Sequence, residues 1–159
     1  MAKEIKTVPS ASEAEQALLG CILEGGEREQ EIAMAWIRDD NAFYTQDNQD
    51  IWKAMAELYK DGVVIDFVTL SEKMKDMTND SKAYYITGLS EAFVSKSNVE
   101  NYAKIVWERY IQRETAKSAQ ALLDASYEDY KEVGSILEKH SKLIEELRHV
   151  QPSKIRDIE

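Results

Sequence analysis

From Ser97 to Gly134 no glycine or proline interrupts the chain, and this run constrains the fold more than any other feature. Ser97 with Glu100 forms a capping box, hydroxyl to backbone amide and carboxylate back to the cap. Val99, Tyr102, Ala103, Val106, Tyr110, Ala116, Ala119, Leu122 and Leu123 then lie along a helix of about 30 residues, about 45 Å long. The polar patch Ser126-Tyr127-Glu128-Asp129 turns the chain. A second long helix covers 130–149, and in it Val133, Ile136, Leu137, His140, Leu143, Ile144, Leu147 and Val150 recur at alternating steps of three and four, a heptad seam. Two long helices joined by a tight turn make an αα-hairpin. Two helices alone cover only part of such seams, and an exposed seam is an association hazard. The pattern predicts a second hairpin against the first, a four-helix dimer interface through Val133, Ile136, Leu137, His140, Leu143, Ile144 and Leu147. The alternative is that the hairpin folds back onto residues 1–96.

Those first residues are also helical in pattern. After an arm over residues 1–9, Ser10 with Glu13, or Ser12 with Glu15, offers a capping box. Ala14, Ala17, Leu18, Cys21 and Ile22 follow the spacing of one buried helical face. Leu19 and Leu23 widen it enough to require more than one neighbour, and Gly25-Gly26 ends the helix. A second helix covers 27–37, with Ile32, Ala33, Trp36 and Ile37 inward. Asp39-Asp40-Asn41 is turn chemistry, followed by Phe43 and Tyr44 as apolar plugs. A third helix over 46–61 buries Ile51, Trp52, Met55, Leu58 and Tyr59. Asp66 caps a fourth, with Val68, Leu70 and Met74 as its inward side. A polar loop at 77–81 precedes a fifth over 82–92. The expected architecture is all-α: a helical head over 10–96, a hairpin over 97–150, and a linker beginning at 151–159.

Composition narrows the function. The chain has 159 residues, two prolines and six glycines, and apart from Val63-Val64-Ile65 no β-branched run suggests a strand. Net charge is −10. Residues 1–96 carry 10 Lys and Arg against 18 Asp and Glu, net −8, and residues 97–159 carry 10 against 12, net −2. A nucleic-acid footprint is a basic excess, so strong direct binding of DNA by this segment is not expected. Cys21 stands alone among apolar neighbours, which reads as core and permits no intrachain disulfide. No apolar run reaches the ~20 residues of a membrane span and no signal peptide is visible, so a cytoplasmic protein is expected.

The chemistry of catalysis is missing from the sequence. There is no GxxxxGK(S/T) phosphate loop and no GxGxxG. His140 and His149 have no partner at metal-ligand spacing. Trp36, Trp52, Trp107, Tyr84 and Tyr85 fall at helical spacing among apolar neighbours and read as core, not as base-stacking platforms. Arg109, Arg113 and Lys117 form a basic stripe on the long helix, either a solvated face beside Glu108 and Glu114 or a partner contact. The residues alone describe a non-catalytic helical module with no metal, no cofactor and an oligomerising hairpin.

The order of these landmarks closely resembles the N-terminal domain of DnaB-type replicative helicases, bacterial or phage. Its P-x-S/N-x-E-A-E-Q-x-L-L-G-like opening stands here as Pro9-Ser10-Ala11-Ser12-Glu13-Ala14-Glu15-Gln16-Ala17-Leu18-Leu19-Gly20. A phenylalanine-tyrosine step follows as Phe43-Tyr44. Next come Ile51-Trp52-Lys53-Ala54-Met55-Ala56-Glu57-Leu58 with Gly62, and Ile65-Asp66-Phe67-Val68-Thr69-Leu70. The family's entry to the hairpin matches Asn98-Val99-Glu100-Asn101-Tyr102-Ala103-Lys104-Ile105-Val106-Trp107-Glu108-Arg109, and its following arginine matches Arg113. Order and spacing agree over 9–150. The resemblance implies the collar domain of a hexameric, ATP-driven helicase that unwinds DNA in replication. It implies self-association as a dimer or trimer of dimers, and docking of primase, with a helicase loader as a further candidate partner. ATP and Mg²⁺ would belong to a RecA-like motor that this sequence does not contain. The departure from the family is that missing motor, so the chain reads as an N-terminal piece of a helicase. The alternative is a stand-alone regulator or adaptor that binds replication proteins or DNA.

Overall fold

The structure is a computed structural model, and it describes residues 8, 10–77, 80–92, 98–127 and 130–148. Among the described residues seven α-helices follow one another: α1 (Ser12–Glu24), α2 (Glu27–Trp36), α3 (Gln46–Lys60), α4 (Phe67–Lys73), α5 (Asp80–Glu91), α6 (Val99–Ala125) and α7 (Tyr130–Arg148), with a 3-10 turn at Asp40–Ala42 between α2 and α3. The expected all-α class holds: there is no strand among the described residues. Val63-Val64-Ile65 is irregular, with only Ile65 buried.

α1 is the axis of the core. Leu18, Leu19, Cys21 and Ile22 are fully buried, because α1 packs on α2, α3, α5 and α6 at once. The wide apolar face predicted several neighbours, and four surround it. The core continues through Ala33, Phe43, Ile51, Trp52, Met55, Leu70, Met74, Ile86 and Leu89. Phe43 and Trp52 meet as a tilted aromatic pair with ring centroids 5.5 Å apart. Val99, Ala103, Val106 and Trp107 of α6 belong to this same cluster. The first half of the long helix is thus part of the head's core, and its second half runs on with α7, which packs against α6.

Local chemistry sets the boundaries. Thr45 caps α3 by accepting from the Asn48 N–H, at 3.3 Å. Asp66 caps α4, as expected, accepting from the Thr69 N–H at 2.8 Å, while the Thr69 hydroxyl accepts from the Asp66 N–H. Glu29 reaches back to the Gly26 N–H at 2.8 Å and starts α2. Gly62 adopts φ +69° behind α3, a conformation that favours glycine.

Several expectations change. α1 has Ala11 at its N-cap and no side-chain cap bond, so neither Ser10 with Glu13 nor Ser12 with Glu15 forms a box. α6 starts after Asn98, also without a side-chain cap bond, and Ser97 lies outside the described residues. Tyr59, Val68 and Tyr84, expected inward, are 38%, 73% and 83% exposed. In α4 only Leu70 and the following Met74 face the core, because a helix of seven residues turns a single side to its neighbour. Ser126-Tyr127 begins the predicted turn. Residues 128–129, 149–150 and 151–159, residues 78–79 of the polar loop, and the arm apart from Val8 lie outside the described residues, as does the side chain of Leu147.

Candidate association surface

The hairpin arises where α6 leaves the head. Beyond Arg113 its only buried residue is Ala125, and Ala116, Ala119 and Leu123 are exposed. On α7, Val133, Ile136, His140 and Leu143 are half-buried where the helix packs on α6, while Leu137 and Ile144 remain 50% and 38% exposed. With Leu123 at 51%, both helices carry large apolar side chains in water. The structure brings Val133, Ile136, Leu137, His140, Leu143 and Ile144 onto one helix packed against α6. His140 is hydrogen-bonded through Nδ1 to the Ser118 hydroxyl of α6.

The basic stripe is divided by the structure. Lys117 is exposed and pairs with Glu114 at 2.9 Å. Arg109 is half-exposed and donates to Gln112 at 3.2 Å. Arg113 between them is 7% exposed. Its Nη2 donates to the Ala42 carbonyl at 2.7 Å, and its guanidinium lies 5.4 Å from the Tyr44 ring centre and 6.0 Å from that of Tyr110. A solvated stripe therefore does not describe Arg113. The segment between α2 and α3 crosses α6 at this level and covers it.

That crossing is a joint, and sequence reasoning missed most of its parts. Tyr110 bonds Asp39, and burial first, then the Asp39 carboxylate, push its phenol well above the usual tyrosine range. Asp39 also accepts from the Asn41 N–H at 2.8 Å, which shapes the 3-10 turn. From the other side Glu15, 1% exposed, accepts from the Tyr44 N–H at 2.9 Å and from Asn48 Nδ2 at 2.8 Å. Tyr85 of α5 donates to Asn48 Oδ1 at 2.7 Å. Burial raises the Glu15 carboxyl above its ordinary value, opposed by those two hydrogen bonds and by the charge of Arg113. The residues at 39–44 thus bind α1 through Glu15 and α6 through Arg113. The available signal was Glu15 itself: its place three residues before Leu18 puts it on the apolar side of α1.

An open groove of about 800 Å³ runs beside this joint, lined among others by Tyr44, Gln49, Tyr110, Glu114 and Lys117. Among the described residues no group of three His, Cys, Asp or Glu side chains is placed to hold a metal ion, and no helix is long and apolar enough to cross a membrane.

Comparison with known proteins adds to the geometry. The family model described as the DnaB-like helicase N terminal domain matches residues 7–108. The chain is 29% identical over 154 residues to the replicative DNA helicase DnaB of Buchnera aphidicola subsp. Baizongia pistaciae, covering 95% of this chain and 31% of that protein. It is 30% identical over 142 residues to the replicative DNA helicase DnaC of Bacillus subtilis, covering 87% of this chain and 31% of that protein. The chain therefore spans about a third of the length of these relatives. Its fold is similar to the crystal structure of the N-terminal domain of DnaB helicase from Mycobacterium tuberculosis, with a TM-score of 0.74 at 21% identity over 89% of this chain and 99% of that one. It is also similar to a structure of a DnaB-like replicative helicase and its interactions with primase, with a TM-score of 0.66 at 20% identity over 89% of this chain and 36% of that one.

Proposed function

Because the chain belongs to the family of DnaB-like helicase N-terminal domains, we propose that it is the collar module of a hexameric replicative helicase, pairing through its hairpin and docking primase. The observation that carries the association is the exposure of Leu123, Leu137 and Ile144 on a hairpin none of whose described residues beyond Ile111 belongs to the head's hydrophobic core. Apolar side chains repeated along two packed helices suit a second hairpin of the same kind, joined by a two-fold axis. Three such dimers would build the collar.

Primase is proposed as partner because a similar fold is described in its company, and a helicase loader is a further candidate. A net charge of −10 suits a partner steered by opposite charge and keeps the module from competing for the DNA strand. Arg109 and Lys117 remain candidate contacts. Arg113 is covered by the head and is not among them. DNA unwinding, ATP and Mg²⁺ are assigned to the parent helicase outside these 159 residues, which contain no phosphate loop. The cytoplasm is the proposed location.

The test is sedimentation of the 159-residue protein with and without Leu137→Asp and Ile144→Asp. Both positions are exposed in the single chain, so the changes strike association before folding. Conversion of an associating parent to monomers is the expected result. An unchanged sedimentation coefficient would exclude the hairpin as the interface.

A further inference from the structure

The apolar repeat of α7 is broken at His140. Its Nδ1 is hydrogen-bonded to the Ser118 hydroxyl of α6, and both side chains are half-buried. On α7 the positions one turn to either side of His140 are apolar, Ile136, Leu137, Leu143 and Ile144, and one turn beyond Ser118 on α6 stands Leu122. A polar pair at this place weakens the seam relative to a methyl-bearing one, because two polar groups lose water to make one bond. What it gains is direction.

Apolar contacts between two helices are tolerant of sliding. A small slip or rotation of α7, within what the short connection to α6 allows, would replace one set of aliphatic contacts by another at little cost in packing. The hydrogen bond is not tolerant. The same slip carries the imidazole away from the Ser118 hydroxyl, and a half-buried ring nitrogen left without a partner weighs against that register. The register matters because Leu123 stands on α6 while Leu137 and Ile144 stand on α7. Their relative heights decide the shape of the apolar surface that the hairpin offers.

We propose that the Ser118–His140 pair is the specificity element of hairpin association. It holds α7 in one register on α6, so that the surface meets a second copy of this chain in one geometry and assembles into one oligomeric state. The inference rests on the association reading above. A polar pair in an apolar seam fixes register in coiled coils by the same reasoning, at a cost in stability.

The experiment uses the 159-residue protein and native mass spectrometry, with circular dichroism to establish that each variant is folded. His140→Leu is expected to unfold at the parent's temperature or higher and yet to lose the single assembly, splitting into coexisting species. Ser118→Ala, which leaves α7 untouched, is also expected to lose the single assembly, but to unfold at a lower temperature than the parent, because it leaves the half-buried ring nitrogen without its partner. His140→Gln keeps a side chain able to bond Ser118 and is expected to keep the single assembly. Retention of one species by both His140→Leu and Ser118→Ala overturns the proposal, as does a parent that is itself a mixture or a monomer. Leu137→Asp, measured in parallel, separates the two ideas. If it fails to dissociate the parent, the hairpin interface is wrong. If it dissociates the parent while His140→Leu stays single, only the specificity role of the pair is wrong.

Discussion

Arg113 reaches 71 positions back along the chain to the Ala42 carbonyl, and at the residue scale it ties the long helix to the head. Hydrogen bonds to charged groups contribute roughly 1.5–3 kcal/mol, and deleting one partner leaves the other desolvated. Arg113→Ala is expected to lower stability by about that amount in urea unfolding. Arg113→Lys should recover only part of it, because an ammonium lacks the flat guanidinium that lies against Tyr44 and Tyr110. Glu15 gives a second prediction, in pH. Its folded carboxyl is held above its ordinary value, chiefly by burial. The folded state therefore keeps a proton that the unfolded state has already released, and stability present at low pH is lost as pH rises from the unfolded value through the folded one. Glu15→Gln removes this loss. Whatever the fixed offset between the two proteins, their difference in unfolding free energy should move in favour of the variant as pH rises through that window. Neither role was plain in the sequence. The i, i+4 spacing of Arg109, Arg113 and Lys117 puts them on one helical face but cannot say that the α2–α3 segment crosses the face at Arg113. Ser12 and Glu15 have the spacing of a capping box, and the pull of a buried tertiary partner on Glu15 outweighs that local bond.

Elements are where the sequence speaks most clearly. α1, α2, α3 and α5 begin and end within a few residues of their apolar patterns, and α6 and α7 were evident from the missing glycines and the repeat. Length and periodicity are properties of the chain alone, so they survive any packing. What periodicity could not supply was the partner of each face. α4 was given one apolar residue too many inward, and the outer turns of α6, apolar in pattern, are only partly covered in the single chain. The α1–α2 corner offers a prediction at this scale. A Cβ added to Gly25 would collide with the Cys21 carbonyl and with Cβ of Glu29, whose carboxylate starts α2. Relief requires α1 and α2 to move apart. Gly25→Ala is expected to cost about 1–3 kcal/mol, the range for overpacking, seen as a lower thermal midpoint. Gly88→Ala is the control, because nothing stands within 4 Å of the added carbon.

For the whole molecule, the core and the proposed association surface sit on one continuous helix. Val99, Ala103, Val106 and Trp107 are core, and Leu123 is half in water. Association should therefore be separable from folding: Leu137→Asp with Ile144→Asp is expected to abolish oligomers in sedimentation while leaving the thermal transition of dilute monomer within about 0.5 kcal/mol, the scale of ordinary surface changes. The sequence made the hairpin legible and left the depth of its root unseen, because the apolar spacing of α6 does not change where the head ends. That root has a mechanical consequence. From Arg113 to Ala125 the helix rises about 18 Å, so it acts as a lever whose fulcrum is the Arg113 joint. A tilt of about 10° at the fulcrum would carry the tip about 3 Å over that ~18 Å arm. Whatever presses on residues 39–44 is thereby geared up, and a small adjustment among a few side chains in the head becomes a displacement of a few ångströms at the far end of the helix.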